Sequence, residues 1–337
     1  MDDKMKRKIE RKRSVSIEMK LSIVIPCYNC EHNIEKVIND FQQALKQYVE
    51  WTYEIILVND CSRDNTIGKL KEIAENYKNV IVINLAKNAG QHSAILAGFR
   101  YATGDLVATS DDDGQTPLEN IIKLINKVNE GYDVACARYI DRAQPSAVRR
   151  LGTAMSRKMT DWLIDKPKDI RLSTFFVAKK FVAKELIKYD QPYPFINGLI
   201  ARVTSNIANV DMNQNARNSG HSGYNLKKLI RLWLNGFTAF SIKPLRVASL
   251  SGILLCLVGF LGAVITIIRK LVDSSVLVGW SSLFSLILVV GGLILCMLGM
   301  VGEYVGRIYM CINMTPQYVI KDIIYSNDEK AEEGREN

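Results

Sequence analysis

Two stretches without a single Asp, Glu, Lys or Arg constrain this chain most: 22 residues between Arg246 and Arg269, and 29 between Asp273 and Glu303. At a rise of about 1.5 Å per residue, a helix of either length crosses a hydrocarbon layer of roughly 30 Å. A purely soluble protein is excluded. So is a many-pass transporter, because only two such runs exist and both lie near the C-terminal end. The remainder of the 337 residues is ample chain for a buried core.

The net charge of +9 is uneven. Residues 1–20 carry eight Lys and Arg against four acids, and residues 322–337 carry two against six. No DNA- or RNA-reading motif accompanies the basic balance, so nucleic acid is not expected as a partner. A basic segment beside membrane spans instead meets anionic lipid. The seven cysteines are scattered, two of them inside the apolar runs (Cys256, Cys296), as expected of reduced thiols rather than a disulfide framework. Cys27 and Cys30 form one isolated C-x-x-C, read as small residues at a strand-to-loop corner. His32, His92 and His221 show no metal-ligand spacing and are read as surface or loop residues. Residues 1–20 have no apolar segment of the length a cleavable signal needs.

The chain divides into a flexible basic tail (1–20), an α/β domain (21–224), an amphipathic juxtamembrane helix (225–243), two membrane helices (247–268 and 276–302) and a polar tail (303–337). In the α/β part, β-branched runs at 21–26, 53–58, 80–85 and 106–109 read as strands. Helical apolar spacing follows the first three, over 33–48, 66–77 and 93–101. This alternation predicts βαβ units and a mostly parallel sheet, in which ligands bind at the carboxyl ends of strands.

Polar residues stand at all four of those ends: Cys27-Tyr28-Asn29, Asn59-Asp60-Cys61-Ser62, Lys87-Asn88-Ala89-Gly90-Gln91 and Asp111-Asp112-Asp113-Gly114-Gln115. Three adjacent carboxylates repel one another and gain nothing structurally. After a buried strand they suit Mg²⁺ or Mn²⁺, hard cations bound through one or two carboxylates plus substrate phosphates. Asp111 and Asp113 are the expected pair.

The segments SIVIPCYN, VNDCSRDNT, KNAGQHSAILAGFRYATGD, SDDDGQTP and CARY, followed by two spans, resemble the family 2 inverting glycosyltransferases. The similar branch is that of the membrane-anchored polyprenyl-phosphate glycosyltransferases. The resemblance covers residues 21–321. It implies a GT-A fold, with Pro26, Tyr28 and Asp60 lining the nucleoside pocket. It also implies that Asp111 and Asp113 form a D-x-D site for metal and diphosphate, with Gln115 beside the donor. This chain departs from the family pattern at Cys30, at Asn59 and Cys61, and at Gly114.

Relatives that act on hydroxyl groups use a carboxylate base. Here Asp169 falls several residues early, and Ser173 and Thr174 stand nearest the expected position. A phosphate monoester acceptor has its second pKa near about 6, so it is an oxyanion already and needs steering rather than deprotonation. Arg138, Arg149 with Arg150 and Thr153, and Arg217 in RNSGHSGY match the family's acceptor-side pattern. An Arg fork grips phosphate bidentately. Lys243, Arg246 and Arg307 flank the spans on one side, placing the catalytic domain and both termini in the cytoplasm of a bacterial inner membrane. Gly302 and Gly306 provide a small-residue pair for homo-oligomer contact through the spans. The sequence thus points to transfer of a hexose from a nucleotide sugar, UDP-linked, to polyprenyl phosphate for cell-envelope glycans. Transfer to a glycan hydroxyl and an inactive membrane scaffold are the alternatives.

Overall fold

The computed structural model describes residues 19–46, 51–114, 120–140, 169–213 and 279–326, with scattered positions between 245 and 272. Two compact units divide the chain. One holds the described residues up to 213 together with those from Pro316 onward, and the other holds those from 245 to Thr315.

The first unit is built on one eight-stranded sheet. Its strands are β1 (Met19–Cys27), β2 (Trp51–Asn59), β3 (Val80–Leu85), β4 (Leu106–Thr109), β5 (Val134–Tyr139), β6 (Phe176–Lys179), β7 (Ile207–Met212) and β8 (Ile320–Tyr325), in the order β7-β5-β6-β4-β1-β2-β3-β8. The four strands expected from sequence lie at its centre and pair in parallel. β6 runs antiparallel to both β4 and β5, and β8 antiparallel to β3. The sheet is therefore mostly parallel but mixed.

The central strands read as unbroken β-branched runs because both faces are covered. Helix α1 (Ile34–Lys46) buries Ile34, Val37, Ile38, Phe41 and Leu45, and α2 (Thr66–Asn76) buries Leu70, Ile73 and Ala74. Helix α3 (Gln91–Phe99) packs closely on the sheet. A Cβ on Gly98 would lie 2.3 Å from Val24 Cγ1, so only glycine lets the helix backbone reach β1. Helices α4 (Ile121–Asn129), α5 (Lys180–Leu186) and α6 (Ile196–Val203) complete the layers.

Pro26 is tolerated in an interior strand because of where it falls. Val24 bonds toward β4, through Ser110 N–H to its carbonyl, and alternate residues face the same neighbour. Pro26 faces that side past the last β1–β4 pair, Val24 with Thr109, so its missing N–H removes no ladder bond.

The C-terminal segment departs from the sequence expectation. Residues 316–326, read as part of a polar tail, belong to the α/β unit and supply its edge strand β8. The strand is short and carries Lys321 and Asp322, which hid it among the charged residues that follow. In the second unit, helix α7 (Trp280–Ile312) continues past Glu303 and Arg307, ten residues beyond the expected boundary at 302. Among the described residues one helical stretch, Val290–Ile312, is long and apolar enough to cross a membrane, and Leu295, Leu298, Val305 and Ile308 on it are exposed. Gly252, from the first apolar run, lies where a Cβ would meet Met297 Cε at 3.2 Å. The 225–243 helix and most of the first span lie outside the described residues.

Candidate active site

The strand order reverses at β1: β2 and β3 extend to one side and β4 to the other. A crevice opens at such a switch point, at the carboxyl ends of the strands. Here the loop after β1 and the loop after β4 meet. The backbone N–H of Tyr28 donates to Asp112 Oδ2 at 2.9 Å, and the Tyr28 ring is 44% exposed, available for a planar ligand.

Each of the four strand-end loops contains one left-handed residue: Asn29 (φ 53°), Cys61 (φ 54°), Gly90 (φ 86°) and Gly114 (φ 71°). The turns fold the loops back over the strand ends. Asn tolerates this conformation because its short side chain bonds locally; Asn29 Oδ1 accepts Arg63 N–H at 2.8 Å. Cys61 has no such relief and bears a strain of about 1–2 kcal/mol.

Asp60 is almost fully buried and holds the third loop. Its carboxylate accepts the N–H of Ala89 at 2.6 Å, the N–H of Gly90 at 2.9 Å and the amide of Asn88 at 2.9 Å. Burial raises its pKa, opposed by those two backbone donors. Asp60 thus shapes the crevice by fixing the loop that begins α3.

That loop delivers Gln91, whose Nε2 donates to Asp111 Oδ1 at 2.7 Å. From the other side Thr174 Oγ1 donates to Asp111 Oδ1 at 3.2 Å. Burial, then repulsion from Asp113 and Asp112, pushes the Asp111 pKa up to about 6. Burial also raises Asp112, opposed by the Tyr28 N–H and the Cys30 thiol. Asp111 and Asp112 are thus carboxylates whose charged forms are penalised first by burial and further by their neighbours in the row. Among the described residues no group of three His, Cys, Asp or Glu converges as a metal cage. Two hard carboxylates in a negative crevice fit a divalent cation that takes its other ligands from phosphate and water.

The remaining sequence candidates fall in different places. Arg138, at the end of β5, forks its Nε and Nη2 onto the Asp211 carboxylate of β7, with Asp169 in electrostatic reach. Gln115, Arg149, Thr153 and Arg217 lie outside the described residues. His92 lies on α3 rather than in a loop and is half-buried: its ring packs edge-on against Phe195 with centroids 5.3 Å apart, and burial lowers its pKa to about 4, so it is neutral at neutral pH. Cys27 and Cys30 are buried free thiols, and burial raises Cys27 well above the usual thiol range, which makes Cys27 unreactive. Gln91, Asp112 and Thr174 carry no individual role in the reading of the sequence. Thr174 sits beside the position where a base was sought, and that proximity was its one signal.

Residues 22–187 match the family described as glycosyl transferase family 2, and residues 243–308 match the GtrB C-terminal hairpin. The uncharacterized glycosyltransferase YkcC of Bacillus subtilis (strain 168) is 34% identical over 310 residues, covering 91% of this chain and 95% of that one. The undecaprenyl-phosphate 4-deoxy-4-formamido-L-arabinose transferase of Proteus mirabilis (strain HI4320) is 33% identical, covering 90% of this chain and 94% of that one. Among solved structures, glucosyl-3-phosphoglycerate synthase from Mycobacterium tuberculosis in complex with UDP has a TM-score of 0.47 at 20% identity, over 68% of this chain and 83% of that one. The carboxylate crevice, the hairpin match at 243–308 and the identity sustained over nearly the whole length of these relatives agree: the chain is a glycosyltransferase of family 2, in the branch that carries the GtrB hairpin.

Proposed function

We propose that this enzyme transfers a hexose or modified hexose, with inversion, from a nucleotide diphosphate, UDP, to a polyprenyl phosphate at the cytoplasmic face of the membrane. The observation that carries the reading is the crevice between β1 and β4. There an exposed Tyr28 ring and the Asp111–Asp113 row are tied together through Asp112. A ring that stacks a base beside carboxylates suited to a metal–diphosphate matches a nucleotide sugar. The name of the Proteus mirabilis relative supports the polyprenyl phosphate acceptor.

In this mechanism Asp111 and Asp113 would hold Mg²⁺ or Mn²⁺, which when bound would supply positive charge toward a leaving diphosphate. Gln91 and Thr174 orient Asp111, and Asp60 fixes the loop that carries Gln91. The acceptor phosphate attacks as an oxyanion, so no side chain removes a proton. Arg149, Thr153 and Arg217 steer it. Arg138 joins them by exchanging its Asp211 partner for phosphate.

Strand β8 supports the two-pass topology. β1–β7 precede the apolar hairpin and β8 follows it, yet β8 is hydrogen-bonded to β3. Chain on either side of the hairpin then lies on one side of the membrane, which requires an even number of crossings.

The test is turnover by the full chain in nanodiscs with a panel of UDP-sugars, with and without undecaprenyl phosphate. A lipid-linked sugar that forms only with polyprenyl phosphate and disappears in chelator is expected. Transfer to a glycan hydroxyl without lipid phosphate would overturn the acceptor assignment.

A further inference from the structure

One row of side chains crosses the sheet at the strand ends. Asn59 of β2 pairs in register with Asn84 of β3, and Asn84 with Asp322 of β8. Their side chains are joined. Asn84 Nδ2 donates to Asp322 Oδ1 at 2.9 Å, and Asn59 Nδ2 donates to Asn84 Oδ1 at 2.8 Å. Asn59 Oδ1 in turn accepts the Ser62 hydroxyl at 2.6 Å and the Ser62 N–H at 3.2 Å. Ser62 Oγ then accepts the N–H of Asn29 at 3.1 Å, next to Tyr28.

The direction of this relay is set at its far end. A carboxylate only accepts, so Asn84 must turn its amide NH₂ toward Asp322 and its carbonyl toward Asn59. Asn59 must then present NH₂ to Asn84 and its own oxygen to Ser62. The Ser62 hydroxyl spends its proton on that oxygen, which leaves its lone pairs for the Asn29 N–H. Each member is oriented by the one before it, and Asn59 is buried, where an unmatched polar group is costly.

We propose that Asp322, on the strand that follows the apolar helix, is a positioning residue for the donor nucleoside. It fixes the polarity of the Asn84–Asn59–Ser62 relay and so the placement of the Tyr28-Asn29 loop. Asp322 touches no substrate itself. The inference rests on the nucleotide-sugar reading above. It adds that the C-terminal strand takes part in donor recognition.

The experiment is calorimetric binding of UDP with Mn²⁺ to the full chain in detergent micelles, with thermal unfolding followed in parallel. The wild type, Asp322→Leu, Asp322→Asn and Ser62→Ala are compared. Expected is a loss of about fivefold in UDP affinity for Asp322→Leu, the size of one hydrogen bond. Unfolding should move little. Asp322→Asn, whose Oδ1 still accepts from Asn84, should restore wild-type affinity. Asp322→Leu added to Ser62→Ala should cost nothing further, because the relay is already cut. Wild-type affinity in Asp322→Leu overturns the proposal, and so does an equal loss in Asp322→Asn, which would mean that charge and not acceptor geometry matters. If Asp322→Leu does not fold, Ser62→Ala decides: unchanged affinity there overturns the relay. A wild type that binds no UDP would instead sink the nucleotide reading and leave the hydrogen-bond geometry untouched.

Discussion

Asp112 and Tyr28, 84 residues apart in sequence, are joined by a 2.9 Å hydrogen bond from the Tyr28 backbone to the Asp112 carboxylate. The middle carboxylate of the row thus faces away from the metal role and clamps the first loop. Asp112→Ala should raise KM for the nucleotide sugar by about tenfold or more, the loss of one charge-assisted bond, and change kcat much less. Steady-state kinetics with the donor varied measure it. An unchanged KM with a collapsed kcat would assign Asp112 to the chemistry instead.

Asp111 and Asp113 should behave differently from Asp112. Asp113→Asn or Asp111→Asn should remove at least about 99% of turnover, since electrostatic stabilisation of a departing charge is worth roughly two to three powers of ten. Each variant should also bind Mn²⁺ more weakly, which electron paramagnetic resonance reads directly. Full turnover by the wild type in chelator would refute the metal role.

Glu54 is a buried carboxylate opposite Ser22 in the β1–β2 pairing. Burial works to raise its pKa. The ion pair with Lys20 at 2.8 Å and hydrogen bonds from Ser22 and Thr103 outweigh this and hold it below the ordinary value. A carboxylate with a lowered folded pKa stabilises fully above its unfolded value, about 4.3, and loses that contribution as pH falls through the folded value. Glu54→Gln should therefore destabilise the domain by about 1–3 kcal/mol at pH 7. The gap to wild type should close as pH falls below about 4. Thermal melts across pH 3–7 test both halves of the claim.

Gly98→Ala should destabilise by about 1–3 kcal/mol, the cost of overpacking a tight core. The new methyl meets Val24 Cγ1 at 2.3 Å and Val58 Cγ2 at 3.2 Å, on buried strands that cannot retreat. Val24→Ala in the same chain should recover part of the loss, because it removes the methyl groups in the way. Strict additivity of the two melting shifts would show that the strain lies elsewhere.

The centre of the fold was legible because its strands are buried on both faces and so are written as continuous β-branched runs. The strands from β5 onward were harder to find. β6 has four residues, β7 alternates through Asn209 and Asp211, and β8 carries charge beside an acidic terminus. The carboxylate row stood out because three like charges after a strand have no structural use. Thr174 and the Asn59–Asn84–Asp322 row did not. Amide and hydroxyl groups are common in loops, and only sheet register shows which of them meet.

Because β8 is the last of the described strands, it pairs with the edge of β3 only once residue 325 has left the ribosome. By then both apolar runs have been synthesised. Val80–Leu85 is a hydrophobic strand, and an open edge of that kind invites pairing with another chain. In the proposed two-pass arrangement the hairpin would reach the membrane before the sheet is closed. Nascent chains would then be separated on a surface while their sticky edge is still bare. Release of the catalytic half alone, by proteolysis between 213 and 316, would reopen that edge. The fragment should then self-associate rather than persist as a free enzyme.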